Sequence, residues 1–271
     1  MGFHPGFVDE FSFDTISQVS FRAKGIEFRF EIHENRNKRF NVLNLKKNVR
    51  DSMKIILRET MKPNVRKRVN VVVYNIPKRK VIPEGVGQYC DAKHINSGYC
   101  FLRSAETDTN IVIYRSEEFY KVLIHELLHL FDTFPFSVEL QEFYQNKFTC
   151  VYRINVNESV VEMNALRINS EIMANRLSRH PNDLLKDEYR FSATQVKKLI
   201  FQQNTTFERV MRNDFVWRET TNAFSYFVLK HIMLHDLLYG SSPKLVSEPF
   251  RFSTKPPRNL FIKMSKYCMV S

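Results

Sequence analysis

Residues that break or loosen a chain are scarce here: 7 Gly and 10 Pro in 271 residues, with no internal repeat and no low-complexity tract. So few breakers exclude a linker-like or compositionally biased chain and fit a globular, well-ordered protein. Cysteine is also sparse. Cys90, Cys100, Cys150 and Cys268 form no C-x-x-C pair, which argues against a disulfide scaffold and for reduced thiols in a reducing compartment. Cys90, His94 and Cys100 can be read as three ligands of a structural zinc, but the spacing is unorthodox and no fourth ligand is evident. Met1–Glu10 lacks the apolar core of a secretory signal, and Gly6 stands where a myristoylation motif needs Ser or Thr. No apolar run reaches the length of a membrane span, so no membrane partner is expected. Two glycosylation sequons, at Asn157 and Asn204, do not change this, because a glycan on Asn157 would crowd the candidate site derived below.

Acidic residues are outnumbered, 29 Asp+Glu against 41 Lys+Arg, for a net charge of +12. That balance favours an acidic partner or substrate. The basic residues are scattered, and the densest run, Lys62–Arg68, joins a helix to a strand and reads as a solvated connection. No recognisable nucleic-acid module is present, and the aromatics show no regular interleaving with Lys and Arg, so nucleic acid is not an expected partner.

What the chain does have is patterning. Residues 1–24 show no clear period and read as an irregular arm. Ile26, Phe28, Phe30 and Ile32 alternate with polar residues, as a half-buried strand does. Residues 43–61 carry Leu45, Val49, Met53, Ile56 and Leu57 at helical spacing, and Val69–Ile76 is a strand rich in β-branched residues. A long connection from Pro77 to Gly98 leads to two short strands, Tyr99–Arg103 and Asn110–Tyr114. Helices are expected at Ser116–Phe131, at residues 157–178, at Ser192–Gln202 and at Thr220–Tyr239. The tail, Gly240–Ser271, with Pro243, Pro249, Pro256 and Pro257, reads as coil with a short strand.

The stretch Ser116–Phe131, SEEFYKVLIHELLHLF, holds the densest chemistry. Ser116 is placed to cap the helix, with Glu117 and Glu118 in its first turn. His125 and His129 are i and i+4, one turn apart on one helical face, so two imidazoles can share a metal ion. Glu126, one step round, can reach a water on that metal: this is the H-E-x-x-H arrangement of zinc peptidases. The plainer alternative is a pair of core histidines beside a solvated glutamate. A catalytic site needs a third protein ligand, and Asn157-Glu158-Ser159-Val160-Val161-Glu162 offers one. Glu158 and Glu162 share a face, so one carboxylate can bind metal while the other orients a histidine through its ring N–H. Which of the two binds stays open, and Glu158 can instead complete a capping box with Asn155.

H-E-x-x-H followed downstream by N-E-S-x-x-E resembles the gluzincin zinc peptidases. The resemblance implies His125, His129 and Glu158 as ligands of one Zn2+ per chain, Glu126 as general base and Glu162 as support for a ligand. It also implies a tyrosine on a late helix that steadies the oxyanion; Phe224-Ser225-Tyr226-Phe227-Val228 is similar to that helix, which makes Tyr226 the candidate, with His231 and His235 as substitutes. The implied fold is α+β and zincin-like. It would have a mixed α/β N-terminal lobe with an edge hairpin and the active-site helix (1–134), and a mainly α-helical C-terminal lobe (135–271). The implied function is an intracellular zinc metallopeptidase acting on peptides or proteins, acidic ones included; the alternative is a non-catalytic interaction protein that keeps the fold. The Asn-, Lys- and Phe-rich composition is similar to that of proteins from large DNA viruses, which adds the virion to the expected locations.

Overall fold

The computed structural model describes residue 8 and residues 10–35, 40–60, 66–83, 85–102, 105, 108–240 and 261–262. Of the irregular arm expected at 1–24, residues 1–7 and 9 lie outside the described residues, and Thr15–Ala23 is in fact one strand of a β-hairpin. β1 (Thr15–Ala23) pairs antiparallel with β2 (Ile26–Glu34) along its whole length. Lys24 and Gly25 turn the chain with φ of 52° and 83°, the doubly positive combination whose twist suits a two-residue hairpin loop. β1 escapes a hydrophobic reading because its half-buried face mixes Thr15 and Ser17 with Val19 and Phe21, while Ile16 points outward. Phe21 stacks on Phe28 and Phe30 across the pair.

α1 (Val42–Glu59) starts on the Asn41 side chain, which accepts from the Asn44 N–H, and buries Leu45, Val49, Met53 and Ile56. It carries the chain over to β3 (Arg68–Tyr74), parallel to β2. Of the basic run before this strand, 61–65 lie outside the described residues. Arg66 is buried and donates to the Leu102 carbonyl, and Arg68 pairs with Glu27. After β4 (Lys80–Val81) and the single turn α2 (Ala92–Ile95) come β5 (Gly98–Cys100) and β6 (Ile111–Ile113), antiparallel to each other; β6 is parallel to β3. The five-stranded mixed sheet thus runs β1-β2-β3-β6-β5, with β5 at one edge.

Val69, Val71 and Val73 of the central strand face one side of the sheet, and there the metal-motif helix α3 (Phe119–Leu130) packs. α3 is buried on nearly all sides, as its Phe, Val, Leu and Ile content requires. Ser116 does not cap it. Residues Ser116–Glu118 form a 3-10 turn, and the Ser116 hydroxyl donates to the Ile76 carbonyl. Glu118 turns inward to Lys80, at 2.7 Å, instead of lying exposed in the first helical turn.

The second half is helical: α4 (Val138–Lys147), α5 (Val156–Leu177), α6 (Pro181–Gln202), α7 (Phe207–Met211) and α8 (Lys230–Tyr239). α6 begins well before the expected Ser192, because Pro181 at its first position and His180 as its cap start the helix there. The expected helix Thr220–Tyr239 begins only at Phe224, and Phe224–Leu229 is π-helical. A second apolar cluster around Trp217, Phe224, Phe227 and Phe148 joins these helices. β7 (Phe261–Ile262) pairs antiparallel with β4; the tail prolines lie outside the described residues. The architecture is α+β, with eight α-helices among the described residues. No described helix is long and apolar enough to cross a membrane.

The fit of edge strand to helix hangs on Gly98. A Cβ there would lie 2.8 Å from the Val112 carbonyl oxygen and 2.9 Å from Val122 Cγ1 on α3. Gly98→Ala is therefore expected to lower stability by about 1–3 kcal/mol, the usual cost of overpacking. Denaturant unfolding checks this, and an unchanged midpoint would show that β5 and α3 have room between them.

Candidate metal centre

Two helices build the site, each through an i, i+4 pair. α3 supplies His125 and His129, and α5 supplies Glu158 and Glu162. α5 begins where it does because Asn155 accepts from the Glu158 N–H at 3.3 Å, which leaves the Glu158 side chain free to turn toward α3. Capping and metal binding are thus compatible, since the cap uses the backbone of Glu158 and the site uses its carboxylate.

His125 Nε2 and His129 Nε2 lie 3.2 Å apart. Glu158 Oε2 is 3.2 Å from the first and Oε1 is 3.4 Å from the second. Bonds of about 2.0–2.1 Å in a tetrahedral site separate ligand atoms by about 3.3–3.4 Å, so the three side chains already stand at the spacing of a small tetrahedral ion. Among the described residues this is the group of His, Cys, Asp and Glu side chains that can hold a metal ion.

Glu162 takes the other role open to the pair. Its Oε2 is 3.0 Å from His125 Nδ1, and both its oxygens accept from Lys121 Nζ, at 2.7 and 2.9 Å. Burial pushes the Glu162 carboxyl up, but the Lys121 charge and the His125 hydrogen bond outweigh it and hold the group below the usual carboxylate range. An anionic Glu162 claims the Nδ1 proton of His125 and turns Nε2 toward Glu158. Nε2 then faces Glu158 Oε2 at 3.2 Å, and a proton between them holds the place a metal ion would take: burial lowers His125, but its bonds to Glu158 and Glu162 prevail and raise it to about 10. Glu158 is correspondingly held well below its ordinary value, burial opposing and the two histidines prevailing.

Glu126 is not one of the three converging ligands, but it lines the same cleft as His125 and Tyr226. It is buried, and burial raises its pKa against the opposing charges of His125 and His129. The Cys100 thiol, on β5, hydrogen-bonds to the Glu126 carboxylate. Sequence reasoning missed this contact, because nothing local links the end of β5 to the middle of α3. Tyr226 stands on the other flank, its ring centroid 5.9 Å from that of His125. Burial first, and then the charges of Glu158 and Glu126, hold its phenol well above the ordinary tyrosine value, so it remains a proton donor. A small cleft opens beside these groups, lined by Ser97, Gly98, Val122, His125, Glu126 and Tyr226 among others.

The π-helical stretch accounts for the position of Tyr226. Glu219 accepts from the Phe224 N–H at 2.6 Å and starts the stretch, and the Ser225 carbonyl accepts from the Ser159 hydroxyl on α5 at 2.9 Å. His231 and His235, the expected substitutes for Tyr226, pack elsewhere. His231 bonds Ser192 and stacks on Tyr189 of α6, and His235 lies against the same tyrosine. Burial, then the neighbouring Lys230 charge, lowers His231 to about 3, a neutral interior histidine. The trio Cys90, His94 and Cys100 is not a metal group: Cys90 bonds Gln202, His94 closes a capping box with Asp91, and Cys100 is on Glu126.

Comparison of the chain with known protein families, curated proteins and solved structures finds no match.

A proton holding the place of a metal has a measurable consequence. With His125 titrating at about 10, metal uptake at pH 7 must expel that proton. Apparent affinity for a divalent ion is expected to rise about tenfold per pH unit below that value, with about one proton released per ion bound. Calorimetry in buffers of differing protonation heat counts the released protons. A count of zero would mean that His125 is neutral in the free protein.

Proposed function

We propose that the chain is a zinc metallopeptidase of the gluzincin type. One observation carries the reading: a ready-made three-ligand group, His125, His129 and Glu158, with a buried carboxylate on one flank and a phenol on the other, beside a cleft. Two nitrogens and one carboxylate oxygen are a donor set that suits zinc and leaves one coordination position for chemistry. When bound, zinc supplies a Lewis acid that polarises a peptide carbonyl and makes water a nucleophile near neutral pH.

The chain's own residues supply the rest. Glu126 takes the proton of the attacking water and hands it to the leaving amine; its burial, which favours the protonated form, suits that second delivery. Tyr226 donates its hydroxyl to the carbonyl oxygen as negative charge develops there, and its raised pKa keeps it a donor throughout. Glu162 keeps the His125 ring turned to the metal. β5 is an edge strand of the sheet among the described residues, and it borders the cleft through Gly98. An extended peptide can add to it as another strand, which brings a scissile bond past Glu126. The substrate is a peptide or protein, and the net charge of +12 favours acidic ones.

Base and ligand are separable by mutation. Glu126→Gln keeps shape and hydrogen bonding but cannot take a proton. It is expected to retain about one zinc per chain while peptide cleavage falls about 10²–10⁴-fold. Glu158→Gln loses an anionic ligand and should lose zinc. Metal analysis paired with a peptide-library digest reads both. Zinc lost from Glu126→Gln and kept by Glu158→Gln would reverse the roles. A zinc-loaded wild type that cuts nothing would leave a non-catalytic protein with this fold as the reading.

A further inference from the structure

Behind His125 lies a buried cation that the peptidase chemistry does not use. Lys121 sits on α3 one turn before His125, 2% exposed, with its ammonium on both oxygens of a Glu162 that is fully buried. Lys230, also buried, adds its charge to the same carboxylate from the start of α8. An ammonium is costly to remove from water, and a buried pair of this kind can often be replaced by apolar residues without loss of stability. Its presence behind a metal ligand therefore calls for another account.

We propose that Lys121 is a positioning residue of the metal centre: by gripping both oxygens of Glu162 it fixes the carboxylate plane that holds the His125 ring. The inference rests on the metal-site reading above. A carboxylate held by one hydrogen bond can swing about its own Cγ–Cδ bond. Held at 2.7 and 2.9 Å by one ammonium, Glu162 cannot swing, and its Oε2 stays aimed at Nδ1. The cation and the imidazole are i and i+4 on one helix, so a single rigid element presents both to the same acceptor. Lys121, Glu162, His125, Glu158 and His129 then follow one another as an alternating file between α3 and α5. The position of the last ligand is tied to the first cation.

The test is zinc affinity, measured on the full chain by competition with a chromogenic chelator, for wild type, Lys121→Met, Glu162→Gln and the double variant. Second partners of a ligating histidine are typically worth 10–100-fold in metal affinity. Lys121→Met is expected to weaken zinc by roughly 10–100-fold although it removes no ligand. The double variant should be no weaker than Glu162→Gln alone, because the two residues act through one contact. If Lys121→Met fails to fold, Lys121→Gln, which keeps a donor for one oxygen, should fall between wild type and Glu162→Gln. A folded Lys121 variant with wild-type affinity would make the pair a fold contact only and overturn the proposal. So would losses that simply multiply in the double variant. Wild type without zinc affinity would remove the metal-site reading and this inference together, and peptidase activity enters neither comparison.

Discussion

The contact between α3 and α5 is the interaction on which the rest depends. Along it, an ammonium, a carboxylate, an imidazole, a second carboxylate and a second imidazole follow one another. Both helices repeat their chemistry every four residues, so the groups mesh in only one register. A shift of one residue would rotate a charged face by about 100° and bury it against leucines. Unpaired buried charges cost several kcal/mol each, so the penalty for misalignment is steep. The apolar packing around α3 supplies attraction between the helices; the charges determine how they align.

The same contact explains why the sheet is arranged as it is. α3 must be buried to keep its file of charges away from water, and the valine face of β3 provides that cover. At the sheet's edge, β5 has to approach the helix closely enough to line the cleft, and a residue without a side chain, Gly98, lets it. Buried ionic groups extend outward from there. Glu118, one turn before Lys121, pairs with Lys80, and Ser97 donates to it beside the edge strand. Strand, helix and cleft are therefore linked by polar as well as apolar contacts.

Much of this was legible from residue patterns alone. The His125–His129 spacing and the Glu158–Glu162 spacing are properties of single helices, and helical periodicity exposes them without knowledge of the fold. α1, β2 and β3 were equally readable, since each buries one regular apolar face. β1 was not, because its inward face is partly Thr and Ser and its turn is Lys-Gly; the glycine was the available signal. Lys121 was not readable either. A lysine in a helix is ordinarily a solvated residue, and only the arrival of α5 makes this one a buried counter-ion. The thiol of Cys100 belongs to the same category: its role comes from a residue distant in sequence.

The π-helical stretch at Phe224–Leu229 has a further meaning. Such a stretch holds more residues per turn than an α-helix, in effect a one-residue insertion absorbed without breaking the rod. The helix therefore changes phase partway along. Its first part is set by α5 and the metal centre, through Tyr226 and the Ser225 carbonyl, and its second part by α6, through His231. A regular helix would have to compromise between these two neighbours. Here a single continuous element answers to both, and the slip in winding lets the flank beside His125 and the helical core be tuned independently.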